Sequence, residues 1–145
     1  MQNNQLKQLI DTSSRIILKV GSSLLINEDN NDINYDWLKN FSKEIQSLTN
    51  KKKQIMIVSS GSIALGRKQL KLVKNLSLDE KQAAAAVGQI HLSHAWREVL
   101  KSFNLESAQI LLAPDDTETR RKHLNARATL LKLLQLNVVP VINEN

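Results

Sequence analysis

Four short runs of aliphatic and β-branched residues recur along the chain: Ile16 to Val20, Ile55 to Val58, Ala108 to Leu112 and Val138 to Ile142. Runs this short with little polar alternation predict buried strands of a parallel sheet. Between them the apolar positions step by three and four. Leu38, Phe41, Ile45 and Leu48 give one buried face to a helix from about Tyr35 to Leu48. A second helix is expected just after Gly61, through Ile63 and Leu65 to Leu70, followed by a polar link at 71–75. In the third, Ser77 and Glu80 have the spacing of a capping box and AAAA at 83–86 supplies strong helix formers, so a helix should run to about Phe103. Gly88 within it costs about 1 kcal/mol relative to alanine, which implies a packing reason for it. The last helix, from about Thr119 to Leu136, aligns Leu124, Ala128, Leu131 and Leu134.

Strands alternating with helices imply an α/β fold: parallel β/α units with right-handed crossovers and helices on both faces of the sheet. Pro140 conflicts mildly, since proline lacks a ladder donor and favours an edge or a strand start. Residues 1–14 are polar and read as a flexible lead-in, and 15–145 as one folded unit. VPVINEN ends the chain at a strand terminus, where open α/β sheets form their ligand sites, so the expectation is a fold truncated on its C-terminal side.

Composition narrows the function classes. With 41% hydrophobic and 23% charged residues the 145-residue chain falls in the soluble globular range, and no apolar stretch approaches a membrane span. The N-terminus lacks the basic and apolar regions of a secretory signal. The absence of cysteine excludes disulfides and thiolate chemistry and, with no signal, points to the cytoplasm. The net charge of +6 raises the question of nucleic acid, but the basic residues are dispersed outside 51–53 and the Arg120 region. Two Trp, one Tyr and two Phe offer little for base stacking. A solvated basic surface, or one that handles anionic substrates, is favoured over an RNA-associated domain, whose binding would weaken steeply with salt.

Two of the four glycines, Gly21 and Gly61, follow apolar runs directly at a strand-to-loop switch. Glycine there implies positive φ or close backbone approach to a ligand, and a turn that opens a helix presents N–H groups to a phosphate or carboxylate. Lys19 lies within the first run; its head either meets an anion at the strand end or snorkels to water. With Gly21, Ser22 and Ser23 after it, the phosphate reading gains ground, because a lysine plus backbone donors is what phosphoryl transfer requires. GSIALGRK at 61–68 nearly matches the P-loop, but Arg67 and Lys68 stand where lysine and a hydroxyl belong. What survives is a small-residue turn at Ser59, Ser60 and Gly61 that either binds an anion or simply connects strand to helix. His91 and His94, with Glu98 a turn further, lack enough additional ligands for a metal and read as surface histidines. Arg120 and Arg121 in TETRRKH either bind anions or face solvent or a subunit neighbour.

KVGSS at 19–23, IVSSGSIALGR at 57–67, KQAAAAVGQ at 81–89, LNARATL at 124–130 and VPVINEN at 139–145 together resemble the gamma-glutamyl kinases, or glutamate 5-kinases, of the amino-acid kinase fold. The resemblance runs from Ile16 to Asn145 and covers the N-terminal part of such an enzyme. It implies a parallel-sheet αβα sandwich that transfers the γ-phosphoryl group of ATP, with Mg2+, to the γ-carboxylate of L-glutamate, the first step of proline biosynthesis. It assigns Lys19 to the transferred phosphate and Gly21, Ser22 and Ser23 to the ATP phosphates. Ser60, Gly61 and Asn143 fall to the amino-acid substrate, and the whole enzyme is expected to be a homo-oligomer. Ser62, Ala113 and His123 depart from the usual alanine, threonine and aromatic. In the family the chain continues after INEN with a substrate-binding aspartate, further acidic residues, a base pocket and a second catalytic lysine. The 145 residues alone are therefore expected to be inactive. The alternative is a non-catalytic remnant that binds an amino acid or a partner chain.

Overall fold

In chain order the elements are α1 (Gln2–Thr12), β1 (Arg15–Val20), α2 (Ser22–Leu25), a hairpin of β2 (Ile26–Asn27) and β3 (Asp32–Ile33), α3 (Tyr35–Asn50), β4 (Gln54–Ser59), α4 (Ser62–Gln69), α5 (Leu78–Ser102), β5 (Glu106–Leu111), α6 (Arg120–Gln135) and β6 (Val138–Asn143). The computed structural model describes residues 2–73, 75–112 and 120–143. Lys74 of the polar link, Ala113, the Thr117 to Thr119 part of TETRRKH, and the closing Glu144 and Asn145 lie outside the described residues.

The larger sheet is parallel throughout, in the order β1-β4-β6-β5. The connections β1 to β4 and β4 to β5 move one way across it and β5 to β6 moves back. Right-handed crossovers therefore put α3, α4 and α5 on one face and α6 on the other. The α3–α5 face holds the core. Ile16, Leu18 and Val20 of β1, Ile55 and Ile57 of β4, and Val139 and Val141 of β6 pack there against Leu38 and Ile45 of α3 and Leu92, Trp96, Val99 and Leu100 of α5. Trp37 stacks on Phe41 at 4.7 Å between ring centroids, and Phe41 meets Trp96 edge-on at 6.2 Å.

The opposite face is only partly covered. Met56 of β4 and Leu134 of α6 are buried, but Ile17 on the β1 edge is 62% exposed. Coverage of both faces, as the alternating pattern implies, fails at β1 because a single crossover returns on that side. Leu124 and Ala128 are exposed for the same reason, whereas Leu131 and Leu134, further along the same helical face, pack inward. Pro140 lies on an interior strand, fully buried. It is tolerated because the β4–β6 ladder begins one residue later, at Ile57 and Val141, so the proline stands at a ladder end. The lead-in is helical over Gln2–Thr12 rather than irregular, with its C-terminal end held by Lys53 Nζ, which donates to the carbonyls of Asp11 (2.9 Å) and Ser13 (2.7 Å). No helix among the described residues is long and apolar enough to cross a membrane.

Helices α4 and α5 touch backbone to backbone. A Cβ on Gly66 would sit 1.7 Å from the Ala84 carbonyl oxygen, and one on Gly88 1.7 Å from that of Ser62. This is the packing reason for Gly88. The other end of α4 is tied to the hairpin: Lys68 Nζ pairs with Asp32 Oδ2 at 2.6 Å and Arg67 donates to Asn31 at 3.3 Å. The Lys68 hydrogen bond, then that from the Ile33 amide, hold the Asp32 carboxyl below its ordinary range.

Gly88→Ala should destabilise the fold by at least about 1–3 kcal/mol in urea unfolding, because the helices must part. Gly21→Ala, whose Cβ would meet only Ser23 Oγ at 3.9 Å, should change stability by less than about 1 kcal/mol. Since the Asp32 pKa is lowered by folding, its contribution is present above the unfolded value near 3.9 and disappears as pH falls through the folded one. The pair is half exposed, so the effect stays below about 1 kcal/mol. Asp32→Asn should lower the melting temperature slightly at pH 7, with the difference from wild type closing as the pH falls from about 5 through the lowered folded value.

Candidate active site at the carboxyl ends of the strands

Register brings the strand ends into one row. Val20 is opposite Ser59, Ser59 opposite Asn143, and Asn143 opposite Leu111. Adjacent strands are about 4.8 Å apart, so the row spans about 14 Å and everything just beyond it shares one surface. The Ser60 amide donates to the Val20 carbonyl at 3.0 Å and fastens the two leading turns together. Lys19, the Gly21–Ser23 turn, Ser60, Gly61 and Asn143, assigned from resemblance to one site, thus come together along this edge.

The two glycine turns differ. Gly61 has φ +119°, a left-handed conformation that glycine adopts without strain, and it starts α4. A Cβ there would also press on Ile26 Cγ1 at 3.2 Å. Gly21 has φ −74° and ψ 156°, ordinary extended backbone with room for a side chain. Positive φ is therefore found at Gly61 and not at Gly21, where the expectation comes down to close approach of the backbone to a ligand. At Gly21 the backbone turns directly into the single turn of α2, whose leading amides belong to Ser22 and Ser23 and precede the first intrahelical bonds. Ser22, Ser60, Gly61 and Ser62 share a cleft of about 550 Å³ with Arg67 and Lys81, alongside the apolar Ile63, Ala64 and Leu76.

Strand alternation separates the side chains. Val20, Ser59 and Asn143 follow the core-facing residues of their strands, whereas exposed Lys19 projects from the opposite face of β1. Ser59 is fully buried; its hydroxyl accepts from Trp96 Nε1 at 2.9 Å and donates to the Ser60 carbonyl at 3.4 Å. Asn143 is 94% buried, from its 6% exposure, and its Oδ1 has no hydrogen-bond partner among the described residues. It lines a cavity of about 330 Å³ between α5 and the β5–β6 pair, with Gln89, Ser93, Trp96 and Ser107.

The motif reading passed over Trp96 and Gln89. Trp96 carries an apolar signature and looks like plain core; Gln89 falls inside the KQAAAAVGQ helix, where only its step to Ser93 and Trp96 hinted that it faces inward. His91 and His94 are exposed, and His94 Nε2 lies 3.7 Å from Glu98 Oε2. Arg121 is exposed as well.

A profile of the amino acid kinase family matches residues 14–145. Among curated proteins the chain is 47% identical over 133 residues to a glutamate 5-kinase of Paramagnetospirillum magneticum, covering 92% of this chain and 36% of that one. It is 53% identical over 132 residues to the glutamate 5-kinase of Rhodopseudomonas palustris strain BisB5, covering 90% and 35%. The chain spans about a third of the length of the curated relatives it matches. Among solved structures, the UMP kinase of Bacillus anthracis superposes with a TM-score of 0.62 at 21% identity, over 89% of this chain and 52% of that one, a likeness of fold. A parallel sheet with its small-residue turns gathered at one edge, in a chain matched by that profile from residue 14 to its last residue, belongs to the amino acid kinase family.

Proposed function

We propose that this chain carries part of a site that transfers the γ-phosphoryl group of ATP to the γ-carboxylate of L-glutamate, forming glutamyl 5-phosphate and ADP. This is the reaction that opens proline biosynthesis. The observation that carries the reading is the in-register row of strand ends, which gathers a lysine, two serine-lined turns and a buried asparagine along one edge. The names of the relatives that share about half of its residues favour glutamate as acceptor.

The chemistry needs no general base. A γ-carboxylate with an ordinary pKa near 4.3 is ionised at neutral pH, so its oxygen attacks the γ-phosphorus directly while the bond to the bridging oxygen of ADP breaks. What the protein supplies is alignment and charge neutralisation. Lys19 bears on the transferred phosphoryl group, the backbone of Gly21, Ser22 and Ser23 lines the nucleotide phosphates, and Ser60 with the Gly61 turn holds the acceptor. Asn143 contacts the amino-acid end. Hydroxyls, amides and a lysine suit phosphate oxygens, and Mg2+ in such sites is held largely by the nucleotide phosphates and water with one or two protein ligands. The Mg2+ that such kinases use would accompany the nucleotide and neutralise phosphate charge, and no step here is routed through it. The same reading implies a cytoplasmic, homo-oligomeric enzyme.

The test is ATP- and glutamate-dependent formation of acyl phosphate, trapped as hydroxamate, by the longest gene product that carries this sequence. Lys19→Ala should lower kcat about 100- to 1000-fold, the usual effect of removing one donor to developing charge. Hydroxamate formation absent from the wild type, or undiminished in the variant, would overturn the reading. Glutamate binding without turnover would favour a non-catalytic remnant.

A further inference from the structure

Two buried carbonyl oxygens face one cavity. Asn143 Oδ1 at the end of β6 and Gln89 Oε1 on α5 are both inaccessible to solvent and both without a hydrogen-bond partner among the described residues, and both side chains line the cavity of about 330 Å³ beside β6. Buried acceptors left unpaired are unfavourable, so such a pair implies a donor that arrives with a ligand. The hydroxyl of Ser59 on the same wall already has its bonds to Trp96 and Ser60. No carboxylate among the described residues lines the cavity. Exposed His94 and Arg97 also line the cavity, but the buried polar atoms left unpaired in it are neutral acceptors, which suit a primary ammonium group.

The position of the pair along the strand ends matters as much as its chemistry. Asn143 is two strands from Val20, about 10 Å at a strand spacing of about 4.8 Å, with Ser59 between them. Bonds of about 1.5 Å make the distance from the α-nitrogen of glutamate to its γ-carboxylate about 5 Å. With its ammonium seated at Asn143 and Gln89, an amino acid of this length can extend its γ-carboxylate toward Ser60 and Gly61, on the side of the Lys19 strand. We infer that Gln89 is a specificity-determining residue that, with Asn143, binds the α-ammonium group of the amino-acid acceptor and selects an α-amino dicarboxylate over one without the amine. The inference rests on the glutamate reading above and adds a residue and an orientation to it.

Glutarate, which is glutamate without the amine, is the probe. Dissociation constants for L-glutamate and glutarate would be measured by calorimetry on the longest gene product that carries this sequence, as wild type, Gln89→Met and Gln89→Glu, each checked for native circular dichroism. Wild type should prefer L-glutamate. Gln89→Met, similar in length but without the acceptor, should reduce that preference about tenfold or more through weaker glutamate binding alone. Gln89→Glu keeps an acceptor and should retain or raise the preference, and its loss would overturn the inference even if the methionine variant failed to fold. A wild type that binds both acids equally, or a Gln89→Met variant with the wild-type preference, would refute the role of Gln89 and leave the glutamate reading standing. A wild type that binds neither acid would remove both.

Discussion

Helix α4 can lie on α5 only because Gly66 and Gly88 have no side chains, and most of the candidate site follows from that contact. A methyl group at either position would run into a carbonyl oxygen of the partner helix. With the helices this close, the N-terminus of α4 is drawn down onto the end of β4. The chain must then reverse at Gly61 through a left-handed conformation beneath Ile26. The hairpin that carries Ile26 is fastened to the far end of α4 by Asp32 and Asn31. Both ends of this short helix are thereby fixed, and a turn that would otherwise be free to rock is held against the strand ends.

The sheet supplies the second constraint. Parallel register sets Val20, Ser59, Asn143 and Leu111 level with one another, so the turns after β1 and β4 start from the same height. Trp96 contributes a buried hydrogen bond to this edge, from its indole to Ser59, with its ring packed in the core below. Such a bond is demanding: a tryptophan N–H or serine hydroxyl left unpaired in that environment would cost about 1–3 kcal/mol, so the pair ties the geometry of the site to the packing of the core.

The periodic parts of the fold were legible in the sequence because their burial is periodic. The four strands, α3, and α5 with its Ser77 and Glu80 capping box lie where hydrophobic spacing and capping chemistry put them, with ends displaced by one or two residues. What escaped were the largely exposed helix α1 and elements too short to have a period. The α2 turn and the Ile26–Ile33 hairpin rest on a few buried apolar residues, and the hairpin loop is shaped by asparagine side chains accepting from the amides of Asp29 and Asp32. Asn27 and Asn30 were the available signal. The one-sided exposure of β1 was illegible for a different reason: the apolar residues of Ile16 to Val20 do not say which strand will sit at an edge, since that depends on where later strands join. At the site, motif spacing singled out the glycine turns but could not distinguish the left-handed Gly61 from the ordinary Gly21. Nor could it show that Gln89 and Asn143, far apart in sequence, line the same cavity.

The alternation along β1 also limits how the two halves of the proposed reaction can meet. Lys19 leaves the strand on the face away from α5, whereas Ser59, Asn143 and Gln89 belong to the face that α5 covers. A phosphoryl donor held by Lys19 and an amino acid held by Asn143 would therefore reach the strand ends from opposite sides of the sheet. They can meet only over the edge itself, above Ser60 and Gly61, where backbone takes the place of side chains. Small residues at that point leave the space in which two anionic groups must approach to bonding distance, and the Gly61 turn opens α4 with backbone N–H groups at its positive end.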